Sequence, residues 1–395
     1  MRESAENDGC VHIMPQRLLN HCAGSVSDGL TLHIVDAVSY HSRVVSPQRR
    51  SLRRLLNYYL VKAEMKLGRT RLLGYPYELC IDVSNKCNLR CPYCPTGRGE
   101  QSERGRGNIS YDLFMHILDE LAPYAYSLEL FNWGEPFFNR ELPKLIAYAT
   151  KKGVPTIISS NLSFPLTEEY VRSVVSAGLT YLAAAVDGAD QRSYEIYRRG
   201  GNFNLVVENL RTFVRVKREL GSVTPNLTWQ YLVFAHNEEQ IEDARRLAGE
   251  IGIDHFAVRG GLYDDPTWAP KGDYPFDYLS VHPNRCTWLW KKAVFHWDGG
   301  FASCCMGFNK HDDFDTFRPG QFRQMWNNSQ FIAARRIWTE PRSALPEGHF
   351  CVDCDKVKHY RGLPLSSKMK SPESAAVTSV AAGVVDGFVA NTSSR

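Results

Sequence analysis

The sequence lacks the features that mark a membrane-spanning, exported or nucleic-acid-binding protein. No apolar run approaches the ~18 residues that a transmembrane helix needs. The opening stretch, MRESAENDGCVHIMPQ, has no positive segment followed by an apolar one, so we predict no signal peptide and a cytoplasmic location. The net charge of +4 is spread over 395 residues rather than concentrated in a basic stripe, and we expect no nucleic-acid partner.

Cysteine, in contrast, is plentiful. The chain has 43% hydrophobic and 23% charged residues, which are ordinary values for a globular protein, and it is long enough for one large core and a smaller domain. It also has 11 cysteines. In a protein predicted to be cytoplasmic, we interpret cysteines as metal ligands or redox groups rather than disulfides.

A helical pattern begins at Ser51, after fifty residues (1–50) without sustained periodicity that we expect to be weakly ordered. Over residues 51–76 one face is apolar and much of the other is basic; the apolar set is Leu52, Leu55, Leu56, Tyr59, Leu60, Ala63 and Leu67. We predict that the apolar face packs on the following domain and that the basic face is solvated. The alternative is contact of residues 51–68 with an anionic membrane surface.

Strand-like and helical patterns alternate over residues 77–265. The strand-like runs are YELCIDVS, YSLELFNW, VPTIISS, TYLAAAV, LTWQYLVF and DHFAVRG, and amphipathic helical runs separate them. This alternation predicts an α/β fold, a partial (β/α)6 barrel of the TIM type whose site lies at the carboxyl ends of the strands. Residues 266–364 read as a small cysteine-rich domain, and residues 365–395 as a disordered tail.

Three cysteines occur within the run CNLRCPYC, directly after the first predicted strand. Cys87, Cys91 and Cys94 supply three thiols on one loop. A structural zinc site needs four ligands, so zinc would require a further group from elsewhere. A [4Fe–4S] cluster held by three thiolates instead leaves one iron free to bind a small molecule.

The CxxxCxxC spacing, with the aromatic Tyr93 before the last cysteine, resembles the radical S-adenosylmethionine (SAM) family. That resemblance implies a [4Fe–4S] cluster whose free iron is chelated by the amino and carboxylate groups of SAM. The run NWGEPFFN resembles the family's Gly-Gly-Glu segment, in which Gly134 and Glu135 match and Trp133 replaces the first glycine. The resemblance implies that Glu135 accepts a hydrogen bond from the methionine ammonium.

Two further runs fit the same resemblance. Ser160 and Asn161 stand where many members carry Thr-Asn-Gly, which implies contacts with the ribose or the carboxylate of SAM. In AVDGAD and YEIYRRGG, Asp187 and Arg198 match, and Arg198 is a suitable partner for the SAM carboxylate. Ala185 stands where the family often has serine, so one polar contact is missing there.

Four cysteines near the C-terminus form a second set: Cys286, Cys304, Cys351 and Cys354. A closed site of four thiolates is either structural zinc or an electron-transfer cluster. The order Cys, Gly-x4-Cys and Cys-x2-Cys, counted from Gly299, resembles the SPASM/twitch extension of radical SAM proteins. That resemblance implies an auxiliary [4Fe–4S] cluster.

Cys305 follows Cys304 directly and has three open roles. It could be the true ligand, since four residues also separate it from Gly300; it could be an ordinary buried cysteine; or it could donate hydrogen to a substrate radical. We predict that Cys304 is the ligand. Asp298-Gly299 fits a hairpin tip, and adjacent side chains of a following strand would point to opposite faces.

The resemblance implies an enzyme that reductively cleaves SAM to a 5′-deoxyadenosyl radical, which abstracts a substrate hydrogen. With the auxiliary cluster accepting or relaying an electron, the expected outcome is dehydrogenase-like oxidation of a small sugar or cyclitol. Alternatives are a maturase acting on a ribosomally made peptide, or a redox-neutral epimerase or dehydratase; a distant alternative is a non-catalytic, zinc-organised binding protein. The expected partners are a small-molecule or peptide substrate and an electron donor such as flavodoxin or ferredoxin.

Overall fold

A computed structural model of the chain describes residues 51–274, 285–340 and 347–361. The predictions of a weakly ordered segment over residues 1–50 and of a disordered tail over residues 365–395 therefore lie outside the described residues.

The described residues form one nine-stranded sheet with the strand order β6-β5-β4-β3-β2-β1-β7-β8-β9. The strands are β1 (Glu78–Ile81), β2 (Ser127–Glu129), β3 (Thr156–Ser160), β4 (Tyr181–Ala185), β5 (Asn226–Val233), β6 (His255–Gly260), β7 (Lys292–Phe295), β8 (Gly300–Ala302) and β9 (Asp313–Thr316). Neighbouring strands from β1 to β6 are parallel, and β7 pairs parallel to β1 on its other side. The predicted partial (β/α)6 barrel is confirmed.

Helices connect the parallel strands, as the alternating pattern predicts. The helices are α1 (Leu52–Lys66), α2 (Pro95–Arg98), α3 (Tyr111–Leu121), α4 (Leu142–Lys151), α5 (Glu168–Ser176), α6 (Gln191–Tyr197), α7 (Phe203–Glu219), α8 (Ile241–Ile251), α9 (Trp288–Lys291), α10 (Phe322–Trp326), α11 (Ser329–Thr339) and α12 (Asp355–Tyr360). Side-chain caps begin several of them: Ser110, Thr167 and Asn202 each accept a hydrogen bond from the third helical amide.

The main core lies between the sheet and the helices. It includes Leu79, Leu128 and Leu182, which are fully buried. Successive side chains of a strand point to opposite faces of the sheet. The neighbouring strand positions point to the opposite, concave face. That face carries Cys80 and a close ion pair, in which the Lys292 ammonium lies 2.6 Å from a Glu129 carboxylate oxygen across β1.

The cysteine-rich C-terminal region extends the same sheet. Strands β7 and β8 form an antiparallel hairpin, and β9 pairs antiparallel with β8. The turn between β7 and β8 contains Asp298 and Gly299, as predicted, and Gly299 adopts a φ of 88°, which glycine tolerates best. The barrel and the second cysteine set therefore share one continuous sheet, while the predicted domain boundaries stay a prediction.

The prediction that α1 packs its apolar face on the barrel is wrong. The buried residues of α1 are Asn57, Val61 and Glu64, whereas most of its leucines are exposed. Polar bonds hold this face. The Asn57 side chain exchanges hydrogen bonds with the backbone of Tyr75, and the Glu64 carboxylate accepts from the amides of residues 73 and 74. These hydrogen bonds to residues after the helix, and not the apolar pattern of the helix, determine which face of α1 is buried.

Candidate active site

The three-cysteine loop lies at the carboxyl end of β1, where a barrel places its site. Asn85 braces this loop: its side chain donates to the carbonyl of Gly105 at 2.6 Å and accepts from the amide of Gly107 at 2.8 Å. The amide of Cys94 donates to the carbonyl of Cys91 at 3.3 Å, and Cys94 begins α2. A local backbone turn therefore links Cys91 and Cys94, which carry two of the three thiols.

Hydrogen-bond donors surround the loop's sulfur atoms. The Cys87 sulfur accepts from the amide of Leu89 at 3.4 Å and from the side-chain amide of Asn161 at 3.7 Å. The Cys91 sulfur lies 4.0 Å from a terminal nitrogen of Arg198. Donors placed around sulfur stabilise thiolates and tune the potential of an iron–sulfur cluster. The residues present fit a cluster with three thiolate ligands.

Glu135 is buried next to this loop, 2% exposed. Its amide donates to the carbonyl of Lys86 at 2.7 Å, which ties the predicted Gly-Glu segment to the cysteine loop. Gly134 is required for this approach, because a Cβ atom there would lie 1.7 Å from the carbonyl oxygen of Ser84. Burial raises the pKa of the Glu135 carboxyl to about 7. A ligand ammonium would favour its charged form.

Ser160 and Asn161, at the end of β3, orient Glu135. The Ser160 hydroxyl donates to one carboxylate oxygen at 2.8 Å, and the Asn161 amide donates to the other at 2.9 Å. The Asn161 side chain also reaches the side-chain oxygen of Asn88 in the cysteine loop at 3.1 Å. The structure thus brings these predicted residues together, and a direct contact of either with SAM stays a prediction.

Asp187 and Arg198 form a buried ion pair, with Arg198 Nε 2.6 Å from a carboxylate oxygen. The other carboxylate oxygen accepts from the amide of Leu232 in β5 at 2.7 Å. Burial acts to lower the pKa of Arg198, but Asp187 raises it, and the guanidinium remains charged. Since Asp187 engages Nε, a terminal nitrogen of Arg198 is directed toward Cys91. Its predicted pairing with the SAM carboxylate stays a prediction.

Aromatic side chains line the approach to the cysteine loop. The ring of Tyr93 packs edge-on against Trp268 at 5.2 Å, and Trp268 also contacts Phe234 at 5.4 Å. Tyr197, next to Arg198, packs on Phe234 at 4.5 Å. Trp268 escaped the sequence analysis, because it lies in a loop after β6 with no motif around it. Most of these rings meet edge-on, and together they give the approach an aromatic lining.

The second cysteine set gathers after β8 and around α9 and α12. Burial raises the pKa of the Cys304 thiol well above its ordinary value, and Cys305, Cys351 and Cys286 add to this effect. Burial raises the pKa of the Cys286 thiol, which Cys354 reinforces and the backbone amides at the start of α9 oppose, and the Ser303 hydroxyl lies 3.9 Å from the Cys351 sulfur. The predicted four thiols are therefore neighbours, and the Ser303 hydroxyl faces one of their sulfurs, that of Cys351.

Cys304 and Cys305 have different surroundings, although the predicted reason is wrong. Strand β8 ends at Ala302, so both cysteines lie in the turn after it rather than on opposite faces of a strand. Burial raises the pKa of the Cys305 thiol to about 11, which Lys292 opposes and Glu129 reinforces. Those two groups belong to the concave face of the barrel. This difference supports Cys304 as the ligand, and the assignment stays a prediction.

Trp133 connects the two cysteine sets. Its carbonyl accepts from the Thr96 hydroxyl in α2, its indole N–H donates to the carbonyl of Cys305, and its ring packs on Phe308 at 5.8 Å. The departure from the family's first glycine was the available signal. The tryptophan side chain that replaces this glycine bridges the two sites.

Arg104 makes a second, buried connection that carries no sequence signal. Its guanidinium lies 2.7 Å from the carboxylates of both Asp298 and Asp313 and donates to the carbonyls of Phe308 and Asn309. The side chain is 1% exposed. Arg104 thereby fastens the segment after the cysteine loop to the β7–β9 region.

Among the described residues, no three His, Cys, Asp or Glu side chains meet the geometry for holding a single metal ion.

Comparison with known proteins places this geometry in a family. Residues 81–255 match the family model of the Radical SAM superfamily. This range begins in β1 and ends in β6, and it contains the cysteine loop, the Glu135 segment and the Asp187–Arg198 pair.

Two relatives extend the likeness beyond the barrel. The PqqA peptide cyclase of Rhodopseudomonas palustris is 28% identical over 253 residues, which are 56% of this chain and 65% of the relative. The mycofactocin maturase MftC of Mycolicibacterium smegmatis is 24% identical over 337 residues, which are 75% of this chain and 82% of the relative. The chain covers only 32% to 65% of the length of other curated relatives and of the cyclase.

A solved structure supports the fold. The crystal structure of Streptococcus suis SuiB bound to S-adenosylmethionine superimposes with a TM-score of 0.54 at 17% identity, covering 85% of this chain and 84% of that one. Cofactors of this family are a [4Fe–4S] cluster and SAM, with an auxiliary cluster in SPASM/twitch members. Residues 81–255 of this chain therefore form a Radical SAM domain, and the relatives of the chain include SPASM/twitch-type radical SAM maturases.

Proposed function

We propose that this radical SAM enzyme oxidises a C–H bond of its substrate and that a [4Fe–4S] cluster held by the second cysteine set would accept the substrate's electron. The observation that carries the proposal is the continuity between the two thiol sets. They lie after β1 and after β8 of one sheet, and Trp133 bridges them. Arg104 ties the segment after the cysteine loop to the β7–β9 region. Such a layout suits an electron acceptor held close to the site of hydrogen abstraction.

The bound cluster and SAM would supply a 5′-deoxyadenosyl radical, once an external donor such as flavodoxin or ferredoxin provides one electron. The residues of this chain bind and orient SAM and shield the radical. Glu135 accepts the methionine ammonium, Arg198 offers a terminal nitrogen to the carboxylate, and Asp187 fixes the guanidinium. The substrate would lose a hydrogen atom to that radical, then one electron to a cluster held by the second cysteine set and one proton to solvent, which together make a two-electron oxidation.

We favour a peptide as the substrate, since two relatives are a peptide cyclase and a maturase and one of them aligns with 75% of this chain. The sugar or cyclitol substrate remains the second candidate, because residues 1–50 lack the strand–helix pattern that a peptide-binding domain would show. Either substrate has polar groups, and the concave face offers the Glu129–Lys292 ion pair to bind them.

The experiment compares wild type with a variant in which Cys351 and Cys354 are both alanine. Anaerobic, reduced enzyme is given SAM and candidate peptides, sugars or cyclitols carrying deuterium on carbon. Deuterium in 5′-deoxyadenosine identifies the substrate class, and a product two hydrogens lighter identifies oxidation. The variant should still cleave SAM but should lose the oxidised product. Oxidised product at wild-type yield from the variant would contradict the electron-acceptor role, and a product of unchanged mass would favour epimerisation.

A further inference from the structure

The outward face of α1 is an apolar stripe that no other described residue covers. Its exposed members are Leu52 (71% exposed), Leu56 (61%), Tyr59 (63%), Leu60 (38%) and Leu67 (73%). Leu56 follows Leu52 by four residues, Tyr59 and Leu60 follow Leu56 by three and four, and Leu67 follows Leu60 by seven, directly after the helix, so all of them lie along one side. Contiguous apolar surface of this kind marks an interaction site on a protein.

The charges that border this stripe are all of one sign. The exposed charged side chains in and just after α1 are Arg53, Lys62, Lys66, Arg69 and Arg71. The single acidic residue between positions 51 and 74 is Glu64, which is buried and accepts two backbone hydrogen bonds. The surface therefore combines exposed leucines with basic charge and offers no exposed acidic group.

We propose that α1 is a membrane-surface anchor that lies in the plane of an anionic lipid bilayer. Its leucines would enter the boundary between headgroups and acyl chains, and its lysines and arginines would contact lipid phosphates. A second copy of the chain fits less well, since two faces of the same positive charge would repel each other. No helix in the described part of the chain meets the length and apolarity that a membrane crossing requires.

The attachment of α1 fixes the orientation of the barrel. Arg54 donates to the carbonyls of Ala122, Lys152 and Gly153, which lie in the loops just before β2 and β3. Those loops are at the amino end of the barrel, whereas the three-cysteine loop is at the carboxyl end. A bilayer under α1 would therefore leave the cysteine loop facing water, and the substrate would arrive from the aqueous side.

The experiment measures co-sedimentation of the full-length, iron-loaded protein with lipid vesicles. Wild type should bind vesicles of phosphatidylcholine mixed with phosphatidylglycerol and should bind pure phosphatidylcholine far more weakly. Replacing Leu52 and Leu56 by Gln should weaken binding at least about a hundredfold, because two leucines no longer leave water. Replacing Lys62 and Lys66 by Gln should weaken binding about fivefold per charge on the anionic vesicles alone.

Matched controls remove the same residue types elsewhere. Ile196→Gln, and Lys144→Gln with Lys271→Gln, alter exposed side chains that follow the carboxyl ends of barrel strands and should leave binding unchanged. Absence of wild-type binding, or equal binding to neutral vesicles, would overturn the proposal. A dimer that the Leu52 and Leu56 variant dissociates, without vesicle binding, would assign the stripe to a second copy instead.

SAM cleavage separates this inference from the proposed function. The α1 variants should produce 5′-deoxyadenosine at the wild-type rate, since the residues that they change lie at the opposite end of the barrel from the three-cysteine loop. If wild type fails to bind vesicles, the proposed oxidation of the substrate is not affected. If the Leu52 and Leu56 variant loses SAM cleavage, these leucines stabilise the fold and do not serve as a membrane anchor.

Discussion

Replacing Arg104 by Gln should weaken the connection between the two cysteine sets. In the wild-type protein the Arg104 guanidinium, 1% exposed, is shared by the carboxylates of Asp298 and Asp313, each at 2.7 Å. Glutamine keeps most of the length but removes the charge. Two carboxylates would then face each other in a largely buried site, with only the neutral amide between them.

The magnitude follows from the burial of the partners. Removing one member of a buried pair costs about 3–5 kcal/mol, because the remaining charge is left uncompensated. The lower end applies, since Asp298 is 21% exposed and water can reach it, whereas Asp313 is 9% exposed. We therefore expect a loss of about 3 kcal/mol in the free energy of unfolding.

The pH dependence of this loss has a definite sign. Burial raises the pKa of the Asp313 carboxyl to about 6, against the opposing effect of Arg104. Because this folded-state pKa is above the unfolded value, protonation favours the folded state. The deficit of the Arg104→Gln variant should thus be largest above about pH 7 and should shrink as the pH falls through 6.

The assay is urea unfolding of the iron-loaded protein under anaerobic conditions, followed by circular dichroism at several pH values. Arg104→Gln combined with Asp313→Asn should recover part of the loss. The control is Arg245→Gln, whose pair with Glu242 is exposed and should contribute less than about 1 kcal/mol. An Arg104→Gln deficit as small as that of the control, or one that grows at low pH, would refute the reasoning.

Further predictions concern the cofactor sites. Wild type should bind SAM more weakly as the pH falls below about 7, because a protonated Glu135 loses the charge that attracts the SAM ammonium. Glu135→Gln should bind SAM weakly at every pH. Equilibrium dialysis checks both, and SAM binding by wild type that does not change with pH would contradict a contact between Glu135 and the ammonium. Cys304→Ser should lose the auxiliary iron while Cys305→Ser keeps its full iron, and the reverse pattern would exchange the assignment. Arg198→Lys keeps the charge but loses the bonded Nε, so SAM affinity should fall about tenfold, and an unchanged affinity would place Arg198 outside the SAM site.

Much of the barrel could be predicted because each element carries its own pattern. Each of the six strand-like runs over residues 77–265 matches one of the strands β1 to β6, with β5 beginning one residue before its run, and the helical runs between them contain the longer helices. The candidate SAM site followed from short motifs, since Glu135, Asn161 and Arg198 each lie within a few residues of a strand end or helix end. Local sequence sets both the elements and these positions.

The remaining features depend on contacts between distant residues. Strand β7 pairs with β1 across more than two hundred residues, so no local pattern shows that the C-terminal region joins the barrel sheet. Asn57 and Glu64 find backbone partners after the helix ends, which reverses the face that α1 buries. Arg104 lies outside every motif, and only the folded chain brings it to Asp298 and Asp313.

The central claim is that Cys87, Cys91 and Cys94 hold the cluster that cleaves SAM. The most direct measurement is the iron content and the 5′-deoxyadenosine yield of the anaerobically reconstituted protein, compared with a variant in which all three are alanine. Wild type should contain about eight irons and cleave SAM, and the variant should keep about four and form no 5′-deoxyadenosine. Undiminished SAM cleavage by the variant, or an unchanged iron content, would contradict the account.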